Sequence, residues 1–495
     1  MSESVHGGRV GGLLGNSSVY MASNMLQRGL AFVLIPLYAA YFSAAEFGAM
    51  DMLYQAVLTG SILISLGLPQ GLLRGFFPPG SAGSMPDAER RLLMGALATL
   101  MVILTGLATT ALLLCANPIA RALFQGHGKA EWVRLAAWLL LAVVMQQLPL
   151  QLYKTLGRSR IFAAWSLASF LLVAAGNLYL IVDRHWGLEG MLWGNILGVG
   201  GTAIGLWILM LPRIRFNFGW RRLGPLFAFG LPMLPNLLCR KVLETANRYL
   251  LPLTWGLSEV GLFSMGARVS SILDFLLLVP FLYAWQPFFY SLAGSKDAPR
   301  TIARVTHYYL IVLLTACLAL QCLQEPVLAF LGRGKFAGAG PAASWMLLAV
   351  LCNGLQYCVS AGIHLRKKLV AEMLLMVAAG AVGLGLNFLL IPRWGAAGAA
   401  AATAAGYLLY LLASFWLAQS VYSVPYLWGR GVWVALPAVG ACAALWACPG
   451  AAARGIILVT YLIMGPLTDL LRHGELAALA TGMNRRLRRV AVDPA

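Results

Sequence analysis

Five basic side chains stand where charge is expensive. Arg28, Arg240, Lys241, Arg248 and Arg268 each fall inside a long apolar run, and a charge at a bilayer centre costs about 2.5–3.5 kcal/mol on insertion scales. Residues of this kind face a wet cavity or a partner. Three carboxylates share the setting: Asp51, Glu244 and Asp274. The cations outnumber them, and guanidinium grips phosphate oxygens bidentately, so the surplus suits an anionic ligand. Asn24, Asn236 and Asn247 add neutral polar groups for a cavity wall. Asn24 lies four residues before Arg28, and Asn236, Arg240, Glu244 and Arg248 step by four, so each set shares one helix face. Glu244 is expected to pair with Arg240 or Arg248 in its own helix. Asp51, Glu244 and Asp274 are also candidates for ion coupling, since a carboxyl in a low-dielectric cavity can load and release a proton. No Ser/His/Asp set, P-loop or metal-ligand spacing is present. No catalytic residue, metal or cofactor is expected.

The elements that carry these residues follow from composition. Of 495 residues 60% are hydrophobic and only 11% are charged, against about 25% charged in soluble domains. That excludes a large soluble enzyme, and it excludes disorder. Long unbroken apolar runs exclude a transmembrane β-barrel, which alternates. A ruler of about 20 apolar residues per crossing yields about fourteen transmembrane helices joined by short loops. The fold class is therefore all-α integral membrane. The net charge of +19 reads as membrane topology and anionic lipid, with no nucleic acid. With the N-terminus in the cytoplasm, basic residues of inner and outer loops stand at roughly three to one, so both termini are expected inside. The tail Arg485-Arg486-Leu487-Arg488-Arg489 is expected on anionic lipid. The eight cysteines form no Cys-x-x-Cys pair and read as small apolar packing residues.

The chain also repeats itself. Glu46-Phe47-Gly48, expected to close the first helix, returns as Glu259-Val260-Gly261. Gly157-Arg158-Ser159-Arg160 corresponds to Leu365-Arg366-Lys367-Lys368. Asn177 followed by Trp186-Gly187-Leu188-Glu189-Gly190 corresponds to Asn387 followed by Trp394-Gly395-Ala396-Ala397-Gly398. Matched landmarks in one order imply two six-helix lobes, 1–215 and 222–425, then two further helices over 426–472 and a basic cytoplasmic tail over 473–495. An even number of helices per half makes the repeat parallel, an arrangement used for alternating access. The same offset carries Arg28 onto Lys241, placing cations at equivalent depth in both halves.

The ordered set of the Glu-Phe-Gly motif, the two Trp-Gly-x-x-Gly motifs and the 6+6+2 repeat resembles the polysaccharide and oligosaccharide flippases of the multidrug/oligosaccharidyl-lipid/polysaccharide exporter superfamily. The resemblance covers essentially the whole chain. It implies a V-shaped two-lobed fold in a bacterial inner membrane. It also implies movement of a polyprenyl-diphosphate-linked oligosaccharide, such as an O-antigen or exopolysaccharide repeat unit for lipopolysaccharide or related surface glycans. By position, Arg28, Arg240, Lys241 and Arg248 would meet the anionic part of the substrate. A polysaccharide polymerase and chain-length proteins are the implied partners. Peptidoglycan-precursor flippases share the helix count and the cavity arginines and remain an alternative. Multidrug exporters typically have twelve helices and acid-dominated sites. An integral-membrane glycan polymerase or ligase would need catalytic carboxylates or histidines on a sizeable outer loop, and the outer loops here are short.

Overall fold

In lipid an apolar run must satisfy its backbone polar groups internally, so long runs of this kind become helices. A computed structural model describes residues 25–26, 29, 32–68, 86–124, 129–215, 219–447 and 451–467. The described residues form helices and no strand. In chain order these are α1 (Phe32–Tyr41), α2 (Ala44–Ser65), α3 (Asp87–Leu114), α4 (Ala116–Phe124), α5 (Ala130–Thr155) and α6 (Ser159–Asn177). Then follow α7 (Gly187–Met210), α8 (Trp220–Leu250), α9 (Leu257–Leu273), α10 (Val279–Ser291) and α11 (Ala298–Gly332). The last are α12 (Gly340–Val359), α13 (Ala361–Leu365), α14 (Leu369–Val421), α15 (Trp428–Ala447) and α16 (Ala451–Leu462).

Among the described residues ten helices are long and apolar enough to cross a membrane, or eleven if the Pro-bent α8 region counts as one span. The 53 residues of α14 are interrupted at Gly395, where φ is 54° and ψ is −128°. At about 1.5 Å per residue such a helix is far longer than the roughly 30 Å hydrocarbon core, so it supplies two crossings. With the shorter apolar helices Phe32–Tyr41 and Ala453–Pro466, the set is compatible with fourteen. Large apolar side chains on the helices face outward, among them Leu107, Ile204 and Trp416, as lipid-facing surfaces require.

The Trp-Gly-x-x-Gly motifs now have a physical reason. Gly187 and Gly395 both take positive φ, 57° and 54°, a region that costs a side-chain-bearing residue about 1–2 kcal/mol. Three residues on, a Cβ on Gly190 would stand 3.0 Å from the Leu180 carbonyl oxygen, and one on Gly398 would collide with the Leu390 carbonyl. The first glycine turns the chain, and the second lets the new helix lie against the one it has just left. Glu259 finishes the second copy: its carboxylate accepts the Ala396 backbone N–H at 2.8 Å.

The helices sort into two compact units. The first comprises residues 1–268, 328–343 and 373–406. Its core joins α3, α5, α7 and α8 through Leu97, Met101, Leu152, Met210 and Leu226. The second comprises residues 269–327, 344–372 and 407–495. There Trp285, Phe289, Ile302, Ala361 and Val424 form one core, and Leu318, Val434, Ala438 and Tyr461 another.

Candidate functional site

The site in the first unit is built on α2. Glu46-Phe47-Gly48 lies in the first turn of this helix rather than at the end of the helix before it. The reason is a capping box: the Ser43 hydroxyl accepts the Glu46 N–H at 3.2 Å, and the Ser43 N–H donates to the Glu46 carboxylate at 2.9 Å. Two residues on, Gly48 lies against the Leu257 carbonyl and the Gly261 backbone, while Gly261 lies against the Ala44 carbonyl. The two copies of the repeated Glu-x-Gly motif therefore pack on each other, glycine beside glycine. Only small residues let two membrane helices approach so closely.

One turn deeper, that crossing delivers Asp51 to α8 and α9. Asp51 is 1% exposed and Arg248 7%. The Arg248 Nε–H donates to Asp51 Oδ2, Arg268 donates to Oδ1 at 3.1 Å, and the Ser264 hydroxyl donates to Oδ2 at 2.7 Å. The Arg248 guanidinium also lies 5.0 Å from the Phe263 ring centre. Ser264 stands at the same offset from Asp51 as Glu259 does from Glu46. The trio of two guanidiniums and one carboxylate keeps one net positive charge. Its exposed member is Arg268, with a third of its side chain accessible. Four residues after Asp51 on the same helix face, Gln55 accepts a hydrogen bond from Lys241 Nζ at 2.7 Å. Arg240 pairs with Glu244 at 3.5 Å.

Arg268 and Asp51 line a cavity of about 360 Å³ together with Tyr38, Tyr54, Gln146, Ser169 and Asn195. Gln146 donates to Ser169 Oγ at 2.8 Å and to Thr202 Oγ1 at 2.7 Å. Asn177 donates to the Tyr38 hydroxyl at 2.7 Å. Apolar side chains such as Leu34, Phe47 and Phe170 complete the wall. The wall thus combines one guanidinium and one carboxylate with neutral hydroxyls and amides and an apolar remainder.

The sites expected from the sequence are distributed as follows. Asp51, Arg248 and Arg268 come together, and Lys241 joins the same face of α2 through Gln55. Glu244 takes Arg240 rather than Arg248, because Arg248 reaches Asp51 instead. Asn247 is fully buried between helices: its amide donates to Thr403 at 3.0 Å, and its carbonyl oxygen accepts the Arg248 N–H. Asp274 opens a π-helical turn, Asp274–Leu278, in the second unit. Asn24, Arg28, the side chain of Asn236 and the basic tail lie outside the described residues. Ser264, Gln55 and the cavity amides were not anticipated. The signals available for them were the repeat offset from Asp51 and the Gln146-Gln147 pair inside an otherwise apolar run.

Solved structures share this architecture. An inward closed structure of the Lipid II flippase MurJ matches with a TM-score of 0.74 at 10% identity, covering 92% of this chain and 99% of that one. An inward-facing multidrug resistance MATE family transporter of the MOP superfamily matches with a TM-score of 0.61 at 13% identity, over 82% of this chain and 94% of that one. A MOP superfamily transporter from Pyrococcus furiosus, described as having reversed binding-pocket polarity, matches with a TM-score of 0.58 at 14% identity, over 83% and 95%. The chain thus has the all-helical membrane fold of MOP superfamily transporters. No curated protein sequence is a significant match. The family model for "Polysaccharide biosynthesis protein" matches residues 13–293, more than half of the sequence and the stretch that contains Asp51, Arg248 and Arg268, and the chain belongs to that family.

Proposed function

We propose that this protein is a flippase that carries a polyprenyl-diphosphate-linked oligosaccharide across the bacterial inner membrane for surface polysaccharide assembly. The observation that carries the reading is the cavity wall at Arg268 and Asp51, where Asp51 also pairs with Arg248 buried behind it, so that two guanidiniums stand against one carboxylate. In a low-dielectric wall this excess attracts the diphosphate, while the Tyr, Gln, Ser and Asn groups offer hydrogen bonds to sugar hydroxyls. The prenyl chain stays in lipid throughout. The cavity volume is at the low end of the about 300–1,000 Å³ typical of ligand pockets, so an oligosaccharide head group requires it to widen. Two parallel six-helix halves, with the two final helices and both termini on the cytoplasmic side, are part of this reading. The Lys/Arg asymmetry of the loops and the repeated motifs support it. Polymerase and chain-length proteins are then the downstream partners.

A second reading, a peptidoglycan-precursor lipid as cargo, is favoured by the extent of the match to a Lipid II flippase. One experiment separates the two. Polyprenyl lipids from cells lacking the gene are analysed by mass spectrometry, with sidedness scored by a membrane-impermeant glycosidase. The first reading expects a diphosphate-linked oligosaccharide repeat unit trapped on the inner leaflet. A trapped peptidoglycan precursor selects the second. An unchanged lipid pool refutes both, and accumulation on the outer leaflet would mean a polymerase or ligase instead.

A further inference from the structure

Two of the three candidate carboxylates for ion coupling, Asp51 and Glu244, sit beside guanidiniums. Asp51 is held by two guanidiniums and Glu244 by one. In the second unit Glu325 is held by Arg454 at 2.6 Å. Arginine keeps its proton at every physiological pH, so a guanidinium beside a carboxylate favours its charged form. Glu372, in the first turn of α14, is differently placed. Its Oε2 lies 2.9 Å from His364 Nε2. Its Oε1 accepts from Gln356 Nε2 at 3.2 Å and from the Tyr410 hydroxyl at 3.4 Å. Gln356 and Tyr410 are buried. On the far side of the imidazole, His364 Nδ1 meets the Tyr290 hydroxyl at 3.3 Å, and half of Tyr290 is exposed. The chain of groups therefore runs from the surface on α10, through α13, to the buried flank of α14.

We propose that the His364–Glu372 pair is a proton-binding site of the transport cycle, loaded through Tyr290. The inference rests on the transporter reading above and supplies its coupling ion. Without the proton the pair carries one negative charge, with neutral His364 donating Nε2–H to Glu372 and accepting from Tyr290 at Nδ1. One bound proton brings the pair to zero: Nδ1 becomes a donor and the Tyr290 oxygen its acceptor. The proton belongs to the pair rather than to either residue. Each packed element contributes to the surroundings: Tyr290 from α10, Gln356 from α12, Tyr410 from the later part of α14, and Phe289 edge-on to the imidazole at 6.0 Å. The nearby cations are in the turn Arg366-Lys367-Lys368, whose side chains are exposed, and Arg366 lies over the Tyr422 ring at 5.6 Å.

The test has two arms on the purified full-length protein. In nanodiscs without substrate, infrared difference spectra between pH 5 and pH 8 are compared for wild type, His364→Gln and Glu372→Gln. Wild type is expected to show an imidazole and carboxylate change that both variants lose. In proteoliposomes containing a defined polyprenyl-diphosphate oligosaccharide, a pH difference is imposed. With one proton per cycle the outer-to-inner ratio of the lipid shifts about tenfold per pH unit, and His364→Gln and Glu372→Gln abolish that shift. Tyr290→Phe, at a half-exposed position that tolerates the change, slows the approach to the shifted ratio. Wild-type and variant spectra that coincide, or a gradient response retained by both variants, overturn the proposal. Absence of flipping by wild type overturns the cargo reading instead, and the spectra still decide whether the pair binds the proton.

Discussion

At the scale of residues, Asp51 is the keystone of the buried charge. It balances Arg248, which is nearly inaccessible, and part of Arg268, which is not. Asp51→Asn keeps the shape but leaves a buried guanidinium unopposed. Breaking a buried pair in this way costs about 3–5 kcal/mol, and the thermal midpoint in detergent should fall by many degrees. Arg268→Ala leaves the Asp51–Arg248 pair balanced and should melt close to wild type. The reverse order of the two midpoints would refute this assignment. The charged positions themselves were legible in the sequence, because a charge inside an apolar run announces itself. The partner of Arg248 was not. Helical spacing reveals neighbours within a turn and pointed to Glu244, whereas Asp51 lies 197 residues away in sequence. The contacts around Glu372 were hidden in a similar way, since Tyr410 lies 38 residues from it and Tyr290 lies 74 residues from His364.

At the scale of elements, glycines decide where helices stop and how closely they cross. Gly395 has a conformation open essentially to glycine alone, and Gly395→Ala should cost about 1–3 kcal/mol. Gly187 also has positive φ, but nothing stands within 4 Å of an added Cβ, so Gly187→Ala should cost only the backbone term of about 1–2 kcal/mol. Thermal midpoints of the two variants would check the ranking, and equal losses would mean that the two turns are strained alike. The sequence displayed these motifs as a repeat but concealed their cause. A positive φ and a carbonyl against a helix are three-dimensional facts. The helix boundary at Ser43 was misjudged because apolarity marks lipid exposure, whereas a capping box marks the helix start. Ser43 and Glu46 carried that signal at the spacing expected for it.

At the scale of the whole molecule, composition alone fixed the class. A chain this apolar and this poor in charge folds as membrane helices, and the fold shared with MurJ and MATE transporters bears that out. Crossing number was legible to within the short and interrupted helices. Two compact units emerge from packing, a property of long-range contacts that no local pattern displays. Of the intramembrane charges the sequence displays, Arg268 and Asp51 line the cavity; its amides and hydroxyls were not legible, since a lone Gln or Ser in an apolar run carries little signal. In the proposed function the Arg268 guanidinium draws an anionic lipid head group into the cavity. Proteoliposomes holding a fluorescent polyprenyl-diphosphate-linked oligosaccharide test this, with outer-leaflet arrival scored by an external glycosidase. Loss of a charge-assisted hydrogen bond is worth about 1.5–3 kcal/mol, so Arg268→Ala should slow flipping at least about tenfold, and Arg268→Lys should fall between it and wild type. Flipping by Arg268→Ala at the wild-type rate, in protein that melts as wild type does, would contradict the claim.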